Sequence, residues 1–284
     1  MPTTNFGGIP PKYDNLEKAK VVILPVPYDG TSTWIKGADK GPDAILEASA
    51  NMELYDIETN SEVYKKGIFT APAVSEAQSP EKMTEAVYAA SLQYVTAKKF
   101  LVTLGGEHSI SVGAIQAYAE TYPNLTVLQF DAHSDMRPEY EGSRFNHACA
   151  MSRAVEMCPI VQVGIRSMDV DEKKYIHPDR IFYAENRHRD TDWMNKAVSL
   201  LSENVYITID LDVFDPSIMP STGTPEPGGL LWHEVLDMIR LVNAKTNIIG
   251  FDVVELCPNT INKAPNFLAA KLIYKILSYK YTKK

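Results

Sequence analysis

Cysteine is scarce in this chain. Cys149, Cys158 and Cys257 are the three in 284 residues, with no C-x-x-C pair among them, which excludes a disulfide framework. Long apolar runs are missing too. No stretch approaches the roughly 18 residues that span a bilayer, so a membrane role is not expected. Positive charge is in deficit. Against 36 Asp and Glu stand 28 Lys and Arg, a net charge of −8, which suits neither nucleic acid nor an anionic membrane and better suits a cationic small molecule. There is no G-x-G-x-x-G after an apolar run and no G-x-x-x-x-G-K-[ST], so dinucleotide or ATP use is not expected. H-E-x-x-H is absent as well. His233-Glu234 comes nearest, but Asp237 stands in place of the second histidine. The first twenty residues carry no basic segment followed by an apolar one, and so predict no signal peptide and a cytoplasmic protein. Repeats, low-complexity tracts and linkers are also lacking, which predicts a single domain over 1–284.

What is present is ordinary globular material, 45% hydrophobic and 23% charged, enough for a large core. Short β-branched runs predict strands at 20–25, 66–70, 100–104, 125–130, 160–163, 179–183, 205–209 and 248–253. Amphipathic stretches predict helices at 43–50, 80–97, 110–121, 147–156, 192–201, 232–242 and 266–281, with Pro80 and Pro265 where helices should begin. Such alternation implies an α/β fold with a mainly parallel sheet covered on both faces. In sheets of that kind ligands gather at the carboxyl ends of the strands.

Three strand ends carry polar clusters. Residues 100–104 run into Gly-Gly-Glu107-His108-Ser109, residues 125–130 into Asp131-Ala-His133-Ser-Asp135, and residues 205–209 into Asp210-Leu-Asp212-Val-Phe-Asp215-Pro. In extended backbone, positions i, i+2 and i+4 share a face, so Asp131, His133 and Asp135 converge, and Asp210 and Asp212 repeat the device. Carboxylates crowded at the end of a buried sheet are costly unless a cation joins them. His108, Asp131, His133, Asp135, Asp210 and Asp212 supply two imidazoles and four carboxylates, and the four negative charges balance two divalent ions. Oxygen-rich ligation with some imidazole and no thiolate favours Mn²⁺ over Zn²⁺ and argues against Mg²⁺ or Ca²⁺. Two ions about 3.5–4 Å apart can share one water and acidify it.

GGEHS at 105–109, DAHSD at 131–135 and DLDVFDP at 210–216 resemble the ureohydrolases, the family of arginases and agmatinases. The likeness extends to VPYDGTSTWIKGADKGPDAI at 26–45, STGTPEPGGL at 221–230 and FDVVEL at 251–256. It implies a three-layer α/β/α arginase-like fold with an eight-stranded sheet, and a homo-oligomer, trimeric or hexameric. Two Mn²⁺ ions per subunit would be held by the six residues counted above. Asp135 would also touch the bridging hydroxide and protonate the leaving amine. His147 would shuttle protons near the mouth, and Glu255 would grip the substrate guanidinium.

The residue types suit those roles. Guanidinium is planar with paired donors, which a carboxylate grips in two parallel bonds. The leaving amine needs a general acid, and an imidazole titrates near neutrality. The segment 136–146 resembles the agmatinase pattern more than the arginase one, which points to agmatine, cleaved to putrescine and urea, with Glu139 and Glu141 as candidates for its distal amine or as solvated loop charges. Thr208 and Asn146 depart from residues usual in the family. They leave other guanidino substrates open: N-substituted agmatine, guanidinobutyrate, arginine or formiminoglutamate. A metal-dependent deacylase on the same fold and a non-catalytic binding protein are the other readings; the full six-residue set argues against both. His177, His188 and His233 read as surface residues, Asp215 as a turn residue or a support behind the ligands, and the cysteines as packing.

Overall fold

The structure is a computed structural model that describes residues 5–282. Eight strands form one sheet: β1 (Val21–Val26), β2 (Ile68–Thr70), β3 (Phe100–Gly105), β4 (Leu125–Phe130), β5 (Ile160–Ile165), β6 (Ile181–Tyr183), β7 (Asn204–Asp210) and β8 (Asn247–Val254). The order is β2-β1-β3-β8-β7-β4-β5-β6, and every neighbouring pair is parallel. Seven α-helices accompany it among the described residues: α1 (Gly41–Ser49), α2 (Pro80–Thr96), α3 (Ser111–Thr121), α4 (Ala150–Ala154), α5 (Trp193–Ser199), α6 (Trp232–Lys245) and α7 (Ala264–Thr282). None is long and apolar enough to cross a membrane.

Strand periodicity divides the core in two. Val21 and Ile23 of β1 join Leu104, Phe130, Ile207 and Phe251 on the face covered by α1, α5, α6 and α7. Val22 and Leu24 join Leu101, Val127 and Tyr206 on the face covered by α2, α3 and α4. Both faces of the inner strands are therefore dry, which is why their sequences read as unbroken apolar runs rather than alternating ones. The result is three layers, α/β/α.

The expected elements are all present, with shifted ends. The largest departure is the helix expected over 147–156. Residues His147–Cys149 form a 3-10 turn, and α4 proper covers Ala150–Ala154. The Asn146 side chain accepts the Ala148 N–H at 3.1 Å and starts the turn, and Cys149 at φ −117° and ψ 0° breaks helical geometry before α4 begins.

Strand order is what assembles the site. β3, β8, β7 and β4 lie side by side, although they are distant in sequence. Asp210 pairs in register with Val254, and Phe130 with Ile209. The residues that follow β3, β4 and β8 thus emerge with the end of β7 along one rim of the sheet.

Away from that rim, α7 is pinned by a buried cation. Lys275 lies 3.0 Å from Asp56 Oδ2 and also bonds Glu58, which accepts the Tyr279 hydroxyl at 2.7 Å. Burial pushes Asp56 up, but the Thr59 N–H and the Lys275 ammonium outweigh it and hold its pKa below the usual carboxylate range. Glu58 is lowered likewise, against burial, by Lys275 and Tyr279. Removing one partner of a buried pair strands the other, so Lys275→Met should lower unfolding stability by about 3 kcal/mol in urea titrations near pH 7. Carboxylates with depressed folded-state pKa contribute stability above their unfolded value, and that contribution is lost as pH falls through the folded one. The gap between wild type and variant should therefore shrink below about pH 4. A gap of constant size down to pH 3 would contradict this account.

Candidate metal and substrate site

His108 follows the Gly105-Gly106 step at the end of β3. Gly106 is needed there because a Cβ would sit 1.8 Å from the Tyr28 carbonyl oxygen, so the 28–38 loop can close over the strand end only against a glycine. The His108 ring is held from behind. Its Nε2 is 2.8 Å from Thr208 Oγ1, and Thr208 donates to Asp252 Oδ1 at 2.7 Å. Asp252 also accepts the Tyr206 hydroxyl at 2.7 Å. With the Thr208 proton given to Asp252, Nε2 must carry a proton, so in the neutral ring, the form that binds a metal, Nδ1 carries the lone pair.

That Nδ1 is buried and has no hydrogen-bond partner. It faces Asp131 Oδ2 at 3.1 Å, Asp135 Oδ2 at 3.1 Å and Asp210 Oδ2 at 3.5 Å. Four acceptors pointing at one another in a dry site repel unless something positive lies between them. A second group adjoins the first. His133 Nδ1 is 2.8 Å from Asp212 Oδ2 and 3.7 Å from Asp131 Oδ1. The donor atoms of His108, Asp131 and Asp135, and those of Asp131, His133 and Asp212, each lie within 4.8 Å of one another. Asp131 belongs to both sets, so two cations bound there would share it. Asp210 completes the first group and fixes the second, since its Oδ1 accepts the Asp212 N–H at 2.8 Å.

Electrostatics give the same picture. Burial would strip His108 and His133 of protons, yet the surrounding carboxylates raise both well above the ordinary imidazole value. Burial and Asp131 push Asp135 up to about 7, and burial with Asp212 raises Asp210 well above the carboxylate range. The cluster takes up protons because it lacks positive charge, and divalent ions would supply that charge. Oxygen and imidazole donors with no thiolate suit such ions.

Two of these side chains depend on backbone that glycine usually adopts. Asp135 has φ 51° and Glu255 has φ 65°. The extended geometry expected over 131–135 therefore ends at Asp135, which turns into the left-handed region. Glu172 steadies that turn: buried, it accepts the Ser134 hydroxyl and the Met136 N–H, the latter at 3.0 Å. Non-glycine residues in this region are uncommon and gather at functional sites. Glu255 follows β8, and its Oε1 accepts the His108 N–H at 2.8 Å. Burial and the neighbouring Glu107 raise its pKa well above the usual range, so it too stands ready to receive a cation.

The cluster forms the floor of a cavity of about 320 Å³. Trp34 and Ile35 line one wall, Tyr140, His147 and Met168 others, and Asp169 and Glu172 supply further acidic groups. Arg137 lies 3.4 Å from Asp169 and 3.5 Å from Glu172, with its guanidinium 4.4 Å above the Tyr140 ring. His147 lies half-buried at the wall, pushed down to about 4 chiefly by burial. It is therefore a neutral base at neutral pH.

Glu139 and Glu141 are exposed and do not line the cavity, as solvated loop charges would be; Asp169 and Glu172 line it instead. Sequence reasoning overlooked the supports. Asp252 had a signal, a lone charge inside an apolar strand, but Thr31 and Glu172 had none that spacing could reveal. His177, His188 and His233 are exposed. Asp215 accepts the N–H groups of Ser217, Gly228 and Gly229 and so shapes a turn. The three cysteines form no disulfide.

Comparison with known proteins follows the geometry. Residues 19–278 match the model of the arginase family. The N(1)-aminopropylagmatine ureohydrolase of a Synechocystis species is 39% identical over 272 residues, 92% of this chain and 89% of that protein. The agmatinase of Pyrococcus horikoshii is 33% identical over 275 residues, 93% of each chain. The crystal structure of the agmatine ureohydrolase of Thermoplasma volcanium superposes with a TM-score of 0.85 at 31% identity, covering 94% of this chain and 92% of the other. A match across nearly the whole sequence, on the same fold, leads to one conclusion: this chain belongs to the arginase family and is a hydrolase.

Proposed function

We propose that the protein hydrolyses the terminal guanidinium of an agmatine-type substrate, releasing urea and the corresponding polyamine. The observation that carries this reading is the orphaned Nδ1 of His108 facing three carboxylates, with Glu255 beside it on the same rim. His108, Asp131, Asp135 and Asp210 would hold one divalent ion, and Asp131, His133 and Asp212 its neighbour, with Mn²⁺ the ion such donors prefer. When bound, the ions supply Lewis acidity and a water acidified enough to act as nucleophile at neutral pH.

The protein groups do the rest. The carboxylate of Glu255 pairs with the substrate guanidinium in two parallel bonds and fixes its carbon over the rim. Charge developing in the tetrahedral intermediate is met by groups already in place, which need no reorganisation. Asp135 takes the proton from the attacking water and passes it to the departing amine. His147, neutral and at the wall of the cavity, takes the second proton, which the hydroxyl of the intermediate releases as urea forms, and hands it to the amine or to solvent. Two complete donor groups support a pair of ions, against a deacylase with a single one.

A substrate without an α-carboxylate fits the outer cavity. Asp169 and Glu172 are acidic, Trp34, Ile35 and Met168 offer apolar surface for a methylene chain, and Arg137 is already engaged. Agmatine is the simplest such molecule. Agmatine carrying an aminopropyl group is the second reading, favoured because the relative of that name is 39% identical against 33% for the agmatinase.

Urea release from agmatine, N1-aminopropylagmatine, arginine, guanidinobutyrate and formiminoglutamate, compared on the Mn²⁺-loaded protein, separates these readings. Turnover should be confined to the two agmatines and greater for the aminopropyl form; arginine as the preferred substrate would defeat the assignment. Glu255→Gln should cut kcat/KM about tenfold to a hundredfold, the worth of a charged hydrogen bond. Asp252→Asn keeps the shape behind Thr208 but weakens the support of His108. It should lower Mn²⁺ affinity about 10- to 100-fold in competition titrations, with unchanged circular dichroism. Undiminished affinity would remove Asp252 from the metal site.

A further inference from the structure

Thr31 lies in the loop that Gly106 admits against the end of β3. It is 8% exposed, and its hydroxyl joins three groups distant in sequence. Oγ1 is 2.8 Å from Glu107 Oε1, accepts the backbone N–H of His147 at 2.9 Å, and lies 3.2 Å from His147 Nδ1. A hydroxyl has one proton to give and two lone pairs to receive with. The His147 backbone N–H fills one lone pair. The proton must then go either to Glu107 or to His147 Nδ1.

Glu107 decides between them. It is fully buried, and two donors of fixed direction point at it: the Ser109 N–H at 2.8 Å and the Thr31 N–H at 3.3 Å. The Ser109 hydroxyl adds a contact at 2.9 Å. A carboxylate ringed by donors is an acceptor, and it takes a hydroxyl proton in preference to a neutral imidazole. With the Thr31 proton committed to Glu107, the remaining lone pair of Oγ1 can only accept from Nδ1. The other ring nitrogen, Nε2, has no hydrogen-bond partner among the described residues, and the ring lines the cavity. The ring of Tyr140 meets it edge-on, with centroids 6.3 Å apart, which limits its rotation.

We infer that Thr31 is a positioning residue: backed by Glu107, it fixes His147 in the Nδ1–H tautomer and leaves the Nε2 lone pair free towards the cavity. This rests on the proposal that His147 moves protons for a guanidino hydrolysis. It adds which nitrogen does so and what holds the ring. Nε2 takes the proton, and the same nitrogen returns it. Nδ1–H stays bonded to Thr31 throughout, and the imidazolium that forms in between keeps that bond.

The test is ¹⁵N NMR of histidine-labelled holoenzyme, with a diamagnetic divalent ion in place of Mn²⁺ and His147 assigned from the His147→Asn spectrum. Wild type should show a protonated Nδ1 and an unprotonated Nε2. Thr31→Val, close in shape but without the hydroxyl, should give the averaged shifts of a tautomer mixture and lower kcat about tenfold to a hundredfold, with KM within twofold, as loss of an oriented acid–base group does. Thr31→Ser should restore both. A wild-type spectrum with the proton on Nε2 would overturn the inference, because it would mean that Thr31 donates to the ring. So would an unchanged His147 signal in Thr31→Val, even if that variant were less stable. Should the protein cleave no guanidino substrate while the tautomer still follows Thr31, the proposed activity fails and the positioning role stands.

Discussion

Everything at the rim follows from the shortage of positive charge around His108 Nδ1. Three carboxylates and a buried imidazole nitrogen without a hydrogen-bond partner crowd together within 3.5 Å. Leaving such a cluster uncompensated costs several kcal/mol per ion after relaxation. A protein tolerates that cost where a ligand repays it, and divalent cations are the ligands whose charge and donor preference match. The two left-handed residues belong to the same account. Asp135 and Glu255 each store backbone strain to aim a carboxylate where neither a helix nor a strand would aim it.

Behind this charged layer lies a second one, made of buried groups that hold the first by hydrogen bonds. Tyr206 and Thr208 donate to Asp252, which leaves Thr208 free to accept from His108. Glu172 holds the two residues that flank Asp135. Thr31 and Glu107 hold His147 from the other side. Each support fixes the direction of a lone pair or a carboxylate that the proposed chemistry uses. That is a stricter demand than filling space, and buried polar groups meet it because their hydrogen bonds have direction.

Much of this was legible in the sequence, and the limits have physical causes. The unbroken runs at 100–104 and 125–130 read as strands because a parallel sheet buries both faces, and the polar residues after them read as a rim because such sheets expose their carboxyl ends. Spacing in D-x-H-x-D and D-x-D gave the donors. Spacing could not give the strand order, which is set by long-range packing, and the strand order places Glu255 between the residues after β3 and the end of β7. Nor could it find Thr31, since a hydrogen bond across 116 residues leaves no local pattern. The helix at 147–156 was overestimated for a related reason. Its apolar positions suit a helix, but Asn146 competes for the backbone and begins a tighter turn. Glu139 and Glu141, next to the Asp135 turn in sequence, stay in solvent, whereas the fold brings Asp169 and Glu172 to the cavity from another segment.

Separation of tasks along the rim explains why one frame can accept different guanidines. The floor is built from strand ends held by the rigid sheet, and it sees the guanidinium common to every substrate of the class. The outer wall is built from loops at 32–35, 137–140 and 167–172, and it sees the tail that differs. Loops tolerate substitution because few core contacts depend on them, whereas the floor cannot change without leaving a buried charge unpaired. Arg137 shows how such a wall can be tuned. Held by Asp169 and Glu172 and laid over Tyr140, it places a cation among acids that line the cavity and offsets part of their charge. On the proposed function, selectivity among polyamine tails becomes a competition between an internal guanidinium and an incoming ammonium, settled by geometry at the wall while the floor of strand ends stays unchanged.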